Sequence, residues 1–169
     1  MSAAFAVRRA DTSDIPVLAW HRAAMFRDMG KLAPTLEAPL CEQTAGYLHE
    51  ALPRGDYLAW VAVDAAAAPS VIGGAGVQLR PILPRPPEDG SDVLVLGPEA
   101  IVLNVYVEPA WRRRGVADAL MRALLDDLAV RDIRRIVLHA SPEGRRLYER
   151  LGFAQTNEMR LLSDNGHGK

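Results

Sequence analysis

The sequence Val105-Tyr106-Val107-Glu108-Pro109-Ala110-Trp111-Arg112-Arg113-Arg114-Gly115-Val116-Ala117 predicts a strand, a short arginine-rich loop and the start of a helix. Residues 102–107 are mostly β-branched or aromatic, and Pro109 then ends the strand. Residues 116–130 carry apolar side chains at helical spacing. The turn from Pro109 to Gly115 contains one glycine and no acidic residue.

Such a turn has the properties of a phosphate-binding loop. The first amides of a helix have no internal partner, and the helix dipole favours anions there. Because Gly115 has no Cβ, an oxyanion can approach the amides of residues 113–117, and Ala117 keeps the next position small. The guanidinium groups of residues 112–114 add positive charge. The two common nucleotide-binding glycine loops, Gly-x-x-x-x-Gly-Lys-Ser/Thr and Gly-x-Gly-x-x-Gly, do not occur at this turn.

A second motif, Leu147-Tyr148-Glu149-Arg150-Leu151-Gly152-Phe153, follows an apolar segment at residues 133–138. Arg112-x-x-Gly115-x-Ala117 after a strand resembles the Gln/Arg-x-x-Gly-x-Gly/Ala motif that binds acetyl-coenzyme A (acetyl-CoA) in the GNAT superfamily of N-acetyltransferases. The Tyr-x-x-x-Gly-Phe pattern after a fifth strand resembles the same superfamily. Residues 5–15 also look like its first strand and first helix. The resemblance therefore covers most of the chain.

The resemblance implies an α/β (α+β mixed) fold. It has a central mixed, mostly antiparallel sheet of six to seven strands, flanked by about four helices. We expect a single domain over residues 1–163 and a disordered tail over 164–169. The patterns predict strands at 4–7, 58–63, 71–79 and 154–162, and helices at 12–29, 41–52 and 141–152. Three glycines at 73–76 indicate either a bulge or the close approach of a backbone or ligand.

The resemblance also implies which residues bind acetyl-CoA as co-substrate. Main-chain groups of the cofactor strand, the arginine loop, the first helical turn and a downstream serine form the expected set: Val105, Tyr106, Val107, Arg112, Arg113, Arg114, Gly115, Val116, Ala117 and Ser141. Ser141 has a second interpretation, because it also has the character of a helix cap. Trp111 either covers the cofactor or packs at the loop.

Tyr148 matches the tyrosine that many members of the superfamily use as general acid for the departing thiolate. A phenol has suitable acidity for that step. The helical spacing of Leu147, Tyr148 and Leu151 fits simple packing as well. The general base is unassigned: Ile101 stands where protein-lysine acetylating members carry a glutamate, and Glu99 is the nearest acid on that face. Asn104, polar in an apolar strand, contacts either substrate or a neighbouring loop.

Composition restricts the possible partners. The chain has 169 residues, a formal net charge of −1 and one cysteine, Cys41, so neither nucleic-acid binding nor a disulfide is expected. The four histidines lack metal-binding spacing, and we expect no metal. Without a membrane-length apolar run or a signal segment, we expect a cytoplasmic protein. Exposed strand edges in such a fold can pair between two copies of the chain, so a homodimer is possible.

The resemblance to the GNAT superfamily also implies a function. We expect an N-acetyltransferase that transfers the acetyl group of acetyl-CoA to a primary amine of a small molecule, by direct attack of the amine on the thioester. One alternative is acetylation of a protein N-terminus or lysine. An alternative of another class is a non-catalytic CoA-binding sensor or interaction module. The proline-rich segment at residues 80–98 is either a flap beside the acceptor site or an idle insertion.

Overall fold

The computed structural model describes residues 4–66, 70–87 and 90–159. The chain forms two compact units, Met1–His139 and Ala140–Lys169. The first unit contains, in chain order, β1 (Phe5–Arg9), α1 (Ile15–Asp28), α2 (Glu37–Arg54), β2 (Tyr57–Asp64), β3 (Val71–Pro81), β4 (Pro98–Val107), α3 (Val116–Val130) and β5 (Ile136–Leu138). Short 3-10 turns precede α1, α2 and α3: Thr12–Asp14, Pro34–Leu36 and Pro109–Trp111. The second unit contains α4 (Arg145–Arg150).

The five strands form one sheet in the order β1-β2-β3-β4-β5. The first four are antiparallel neighbours, and β5 runs parallel to β4. This confirms the predicted mixed, mostly antiparallel sheet. The described residues supply five strands, fewer than the six to seven predicted.

The strands that were predicted but are not observed belong to the end of the chain. Residues 154–159 were predicted to begin the last strands, but they form none. All six are exposed, so no apolar face holds them against a neighbour. Residues 160–162 and the predicted tail at 164–169 lie outside the described residues.

Helices cover both faces of the sheet in the first unit. A Cβ on Gly73 would lie 3.3 Å from Val116 of α3, whereas a Cβ on Gly74 would lie 3.3 Å from His21 of α1. Because adjacent strand residues point to opposite faces, α1 and α3 lie on opposite sides of β3. A core cluster on the α1 side includes Ile15, Leu18 and Leu48 together with residues of β2.

The helix α3 has the predicted bounds, but α2 is longer than residues 41–52. It begins at Glu37, because Pro39 falls in the first turn, where no backbone donor is needed. Pro53 and Gly55 together were expected to end it, but Pro53 lies inside the helix. The helix ends at Gly55, which takes the left-handed conformation at φ 76°.

A bulge interrupts the pairing of β3 with β4. The register shifts between Gly74 and Gly76, and Asn104 on β4 has φ 56°. The bulge interpretation of the β3 glycines therefore holds. A backbone also approaches closely, since a Cβ on Gly73 would lie 2.9 Å from the Tyr106 carbonyl oxygen, and contact with a ligand stays a prediction. Beyond β3, residues 82–97 are not wholly irregular, because Arg85 and Val95 form an isolated antiparallel bridge.

In the second unit, α4 is shorter than the predicted helix at residues 141–152. Ser141 and the two residues after it form a turn, in which Ser141 Oγ accepts a hydrogen bond of 3.2 Å from the Gly144 amide. The helix closes at Gly152, with φ 92°, and the Phe153 amide donates to the Tyr148 carbonyl at 3.0 Å. No helix within the described ranges is long and apolar enough to span a bilayer.

Candidate functional site

The second half of β4 presents an open edge. β5 pairs only with Ala100, Ile101 and Val102, and in the described part of the first unit no strand continues along that side to Val107. The Glu108 amide donates to Ile72 of β3 at 2.9 Å. Because amides alternate in direction along a strand, those of Val105 and Val107 face away from β3, toward the open edge. An extended ligand could add there like another strand.

The helix start that follows β4 is uncapped. Gly115 is its N-cap at φ 81°, and the first helical hydrogen bond runs from the Ala119 amide to the Gly115 carbonyl at 3.0 Å. No side chain of a described residue caps it, so the amides of Val116, Ala117 and Asp118 lack helical partners. No described atom lies within 4 Å of the position that a Cβ on Gly115 would take. The turn is therefore open to an anion.

The three arginines of the turn have different surroundings. Arg112 pairs with Asp28, donates to the Val107 carbonyl at 3.0 Å and lies 5.5 Å from the Tyr106 ring centroid. Arg113 and Arg114 are exposed, and in the described ranges neither pairs with a carboxylate. A phosphate-binding role for these arginines stays a prediction, and for Arg112 it would require its ion pair with Asp28 to open.

Trp111 packs at the loop. Its ring meets the Phe5 ring edge-on at a centroid distance of 6.5 Å, and the Arg114 guanidinium lies 5.1 Å from the Trp111 ring. These contacts fit the packing interpretation of Trp111, and they anchor the arginine turn to β1.

At the bulge, Asn104 joins two side chains that the sequence did not single out. Its Oδ1 accepts from Arg22 of α1, and its Nδ2 donates to the Tyr57 hydroxyl at 2.9 Å. Burial raises the pKa of Tyr57 to about 12, although Asn104 and Arg22 both act to lower it. Asn104 therefore contacts neighbouring side chains of the fold, and substrate contact by Asn104 stays a prediction.

His21 and Glu108 form a second pair on the same face. His21 Nε2 lies 3.3 Å from Glu108 Oε1, and its ring centroid is 5.0 Å from that of Tyr106. His21 is only 1% exposed, and burial lowers its pKa to about 4, so it is neutral at pH 7. Its Nδ1 has no hydrogen-bond partner among the described residues. Burial raises the pKa of Glu108, while Arg112 acts to lower it.

Glu99, the acid nearest the expected base position, is engaged elsewhere. Its side chain is 2% exposed and pairs with Arg80 and Arg135. Burial acts to raise its pKa, but the hydrogen bonds from both arginines outweigh burial and hold the pKa below its usual range. Glu99 lies eight residues before Val107, or about 26 Å along an extended strand. Its ion pairs and position give it a structural role at the other end of β4.

The remaining predicted site residues lie in the second unit. Tyr148 is on α4, where its ring packs edge-on against Phe153 at a centroid distance of 6.0 Å. Burial raises its pKa, so the phenol keeps its proton near neutral pH. Ser141 Oγ accepts a hydrogen bond within the turn before α4, but the N-cap of α4 is Gly144, so Ser141 does not cap the helix itself. The catalytic role of Tyr148 and the coenzyme role of Ser141 stay predictions.

Sequence reasoning missed Arg22, Tyr57 and His21, although one signal was visible. Leu18, Arg22 and Phe26 follow one another at intervals of four residues, so Arg22 lies within the apolar stripe of α1. A charged residue on a buried helix face requires a partner. The partner, Asn104, is 82 positions away and could not be identified from the sequence. Within the described ranges, no group of three His, Cys, Asp or Glu side chains could hold a metal ion.

Comparison with known proteins agrees with this geometry. The family model of the acetyltransferase (GNAT) domain matches residues 98–165. A GCN5-related N-acetyltransferase from Ralstonia eutropha is 30% identical, with a TM-score of 0.79 over 94% of this chain and 98% of its own. A predicted acetyltransferase from Clostridium acetobutylicum, solved with acetyl-CoA, is 25% identical, with a TM-score of 0.74 over 94% and 96%.

A more distant aminoglycoside N-acetyltransferase, solved with CoA, shares the fold at 18% identity, with a TM-score of 0.67 over 98% of both chains. The search of curated proteins gave no match. The family model, the full-length similarity to the Ralstonia protein and the shared fold all point the same way, and the chain therefore belongs to the GNAT superfamily of N-acetyltransferases and is an acyltransferase.

Proposed function

We propose that this protein transfers the acetyl group of acetyl-CoA to the primary amine of a small molecule. One observation carries the proposal: the free edge of β4 at Val105–Val107 leads directly into the uncapped helix start at Gly115. An extended pantetheine arm requires main-chain partners, and a pyrophosphate requires free amides with room to approach. In this chain the free strand edge supplies the main-chain partners, and the helix start that follows it supplies the free amides. The acetyl-CoA held by the Clostridium relative supports the choice of ligand.

The chemistry is addition followed by elimination. The amine nitrogen attacks the thioester carbonyl carbon, a C–N bond forms, and the carbonyl oxygen becomes an oxyanion. The amide of Val105, beside the bulge, is the proposed donor to that oxyanion, because it is not used by β3. The C–S bond then breaks, and the Tyr148 phenol gives its proton to the departing thiolate. The proton that the amine loses passes to water, and water returns a proton to the Tyr148 phenolate.

The charge around the site supports a small acceptor over a protein lysine. A polycationic peptide would require an acidic groove. The acids of α1 and of the start of α2 are instead paired: Asp28 with Arg112, and Glu37 with Arg27. Glu108 bonds to His21. Among these described acids around the site, no cluster of unpaired carboxylates faces solvent.

The test is an assay of thiol release from acetyl-CoA with a panel of small primary amines, a lysine-containing peptide and a peptide with a free N-terminus. The proposal predicts amine-dependent release and an acetylated small product by mass spectrometry. Release only with the peptides would replace it with the protein-acetylation alternative. Saturable acetyl-CoA binding with no turnover on any acceptor would favour the non-catalytic sensor.

A further inference from the structure

Arg22 is a half-buried cation that lacks a carboxylate partner. It donates one hydrogen bond to Asn104, and its Cζ lies 5.0 Å from the Phe26 ring centroid. Among the residues that the structure describes, no carboxylate lies within 4 Å of its guanidinium. A guanidinium has five N–H donors, so most of them remain available. A partly desolvated cation gains much from an anionic partner.

The surrounding charges do not neutralise Arg22. Arg27 and Arg112 are each paired with an acid, and buried His21 is neutral at pH 7. Glu108 bonds to His21. The charges that shift the Glu108 pKa are those of Arg112, Asp28 and Arg27, and Arg22 is not among them. One positive charge therefore stays uncompensated beside the bulge.

The position of this charge matters because Asn104 immediately precedes Val105. The Val105 amide faces the open edge of β4, and Asn104 holds the Arg22 guanidinium next to it. The Tyr57 hydroxyl fixes Asn104 from the other side at 2.9 Å. The left-handed backbone of Asn104, with φ 56°, is tolerated because two hydrogen-bond partners determine the conformation of the residue.

We propose that Arg22 binds a carboxylate of the acceptor, so that the acceptors are small primary amines that also carry a carboxylate, such as amino acids. This inference rests on the proposed function, because it assumes that the acetyl group lies along β4 near Val105. A carboxylate carries one negative charge and matches a guanidinium in a two-pronged geometry. A phosphomonoester carries close to two charges at pH 7 and would lack a second unpaired cation here.

The experiment compares matched acceptors with the full chain. Each of a set of amino acids is assayed beside its carboxamide and its decarboxylated amine, which keep the amine and remove the anion. The wild-type protein is expected to prefer the acid in kcat/KM by about ten- to a hundredfold, the range of a charged hydrogen bond. Acetyl-CoA binding is measured separately by calorimetry for every variant.

Two variants link the preference to Arg22. Arg22→Gln should remove the preference for the acid. Asn104→Asp keeps the guanidinium but supplies an internal carboxylate, and it should also abolish the preference. The matched control is Arg54→Gln, an exposed arginine at the end of α2, which should behave as wild type.

Each outcome decides something different. Equal rates with acids and carboxamides, or a preference that survives Arg22→Gln, would overturn the carboxylate site and leave the proposed function standing. Acetyl-CoA binding without acetylation of any amine would overturn the proposed function and this inference with it. Loss of the preference together with unchanged acetyl-CoA binding in both variants supports the site and excludes misfolding as the cause.

Discussion

The hydroxyl of Tyr57 lies 1.8 Å from the position that a Cβ on Gly76 would occupy. Tyr57 is on β2 and Gly76 on β3, so the ring crosses β3 at a residue that lacks a side chain. The crossing brings the hydroxyl to Asn104 on β4. Gly76 thus allows the buried Tyr57 to reach the bulge. The acceptor side of the proposed site, formed by Arg22, Tyr57 and Asn104, depends on this glycine.

Gly76→Ala should therefore be strongly destabilising. The new methyl group would meet the hydroxyl and ring of Tyr57, which is 3% exposed and cannot move freely. We expect a loss of about 3 kcal/mol in the free energy of unfolding, the upper end of overpacking effects. Urea unfolding at pH 7 measures it.

Gly46→Ala is the matched control. Gly46 is an exposed residue of α2, and no described atom lies within 4 Å of the position of a Cβ there. In this helix the same change should stabilise the protein by about 0.5–1 kcal/mol. If Gly76→Ala were as harmless as Gly46→Ala, the packing assigned to Tyr57 would be wrong.

Glu99→Gln tests the structural role of the buried carboxylate. Arg80 stays half-exposed and can be hydrated once its partner is lost, so we expect a cost of about 2 kcal/mol at pH 7. The carboxylate has a lowered pKa, so its stabilisation is complete above the ordinary carboxylate pKa and disappears as pH falls through the lowered value. Urea unfolding of both proteins at neutral and acidic pH should show the difference shrink.

The same variant also tests catalysis. Since Glu99 is placed at the far end of β4, Glu99→Gln should leave kcat/KM and its pH profile unchanged at temperatures where the variant stays folded. A selective loss of the rate, with the fold intact, would instead make Glu99 the general base.

Buried His21 should make stability depend on pH. In the unfolded chain it binds a proton near pH 6.5, but in the folded protein only near pH 4. The unfolded state therefore binds more protons between these values, and the wild type should lose about 3 kcal/mol as pH falls from 6.5 to 4. The Glu108 carboxyl partly offsets this, because burial raises its pKa and the folded state takes up its proton first.

His21→Gln separates the two contributions, since glutamine keeps a donor for Glu108 but does not titrate. The difference in unfolding free energy between wild type and variant should fall steadily across this pH window. A constant difference would mean that His21 is hydrated or charged in the folded protein.

Tyr148→Phe should lower kcat and leave acetyl-CoA affinity unchanged. If the phenol protonates the departing thiolate, its removal should reduce kcat by about a hundredfold or more. Burial raises the pKa of Tyr148, so the wild-type rate should persist to high pH and fall only where the phenol ionises. Stopped assays of product formation, with binding measured by calorimetry, distinguish this result from a packing defect, which would weaken binding and stability as well.

The sequence predicted those parts of the site that are contiguous in the chain. The strand at 102–107, the turn at Gly115 and the helix at 116–130 follow from local periodicity and turn chemistry, and all three appear where predicted. The bounds of α2 were missed because Pro39 falls in the first turn, where no backbone donor is needed, and because Pro53 lies inside the helix, one residue before its end.

The acceptor side could not be predicted in the same way. Arg22, Tyr57 and Asn104 belong to three separate elements, and the sheet register together with the packing of α1 against the sheet brings them together. A single sequence carries no record of that register. It shows only that two residues need polar partners: Arg22, a charged residue on an apolar helix face, and Asn104, a polar residue within an apolar strand.

The measurement that tests the central claim most directly is calorimetric titration of acetyl-CoA into the wild type, Gly115→Glu and Gly55→Glu. Both glycines have a positive φ and no described atom within 4 Å of the position of a Cβ, so the two substitutions carry similar backbone strain. Only Gly115 lies at the open helix start, where a carboxylate would repel and block the pyrophosphate. The account predicts saturable one-to-one binding for the wild type and Gly55→Glu, and none for Gly115→Glu. Equal binding by all three proteins, or none by the wild type, would contradict it.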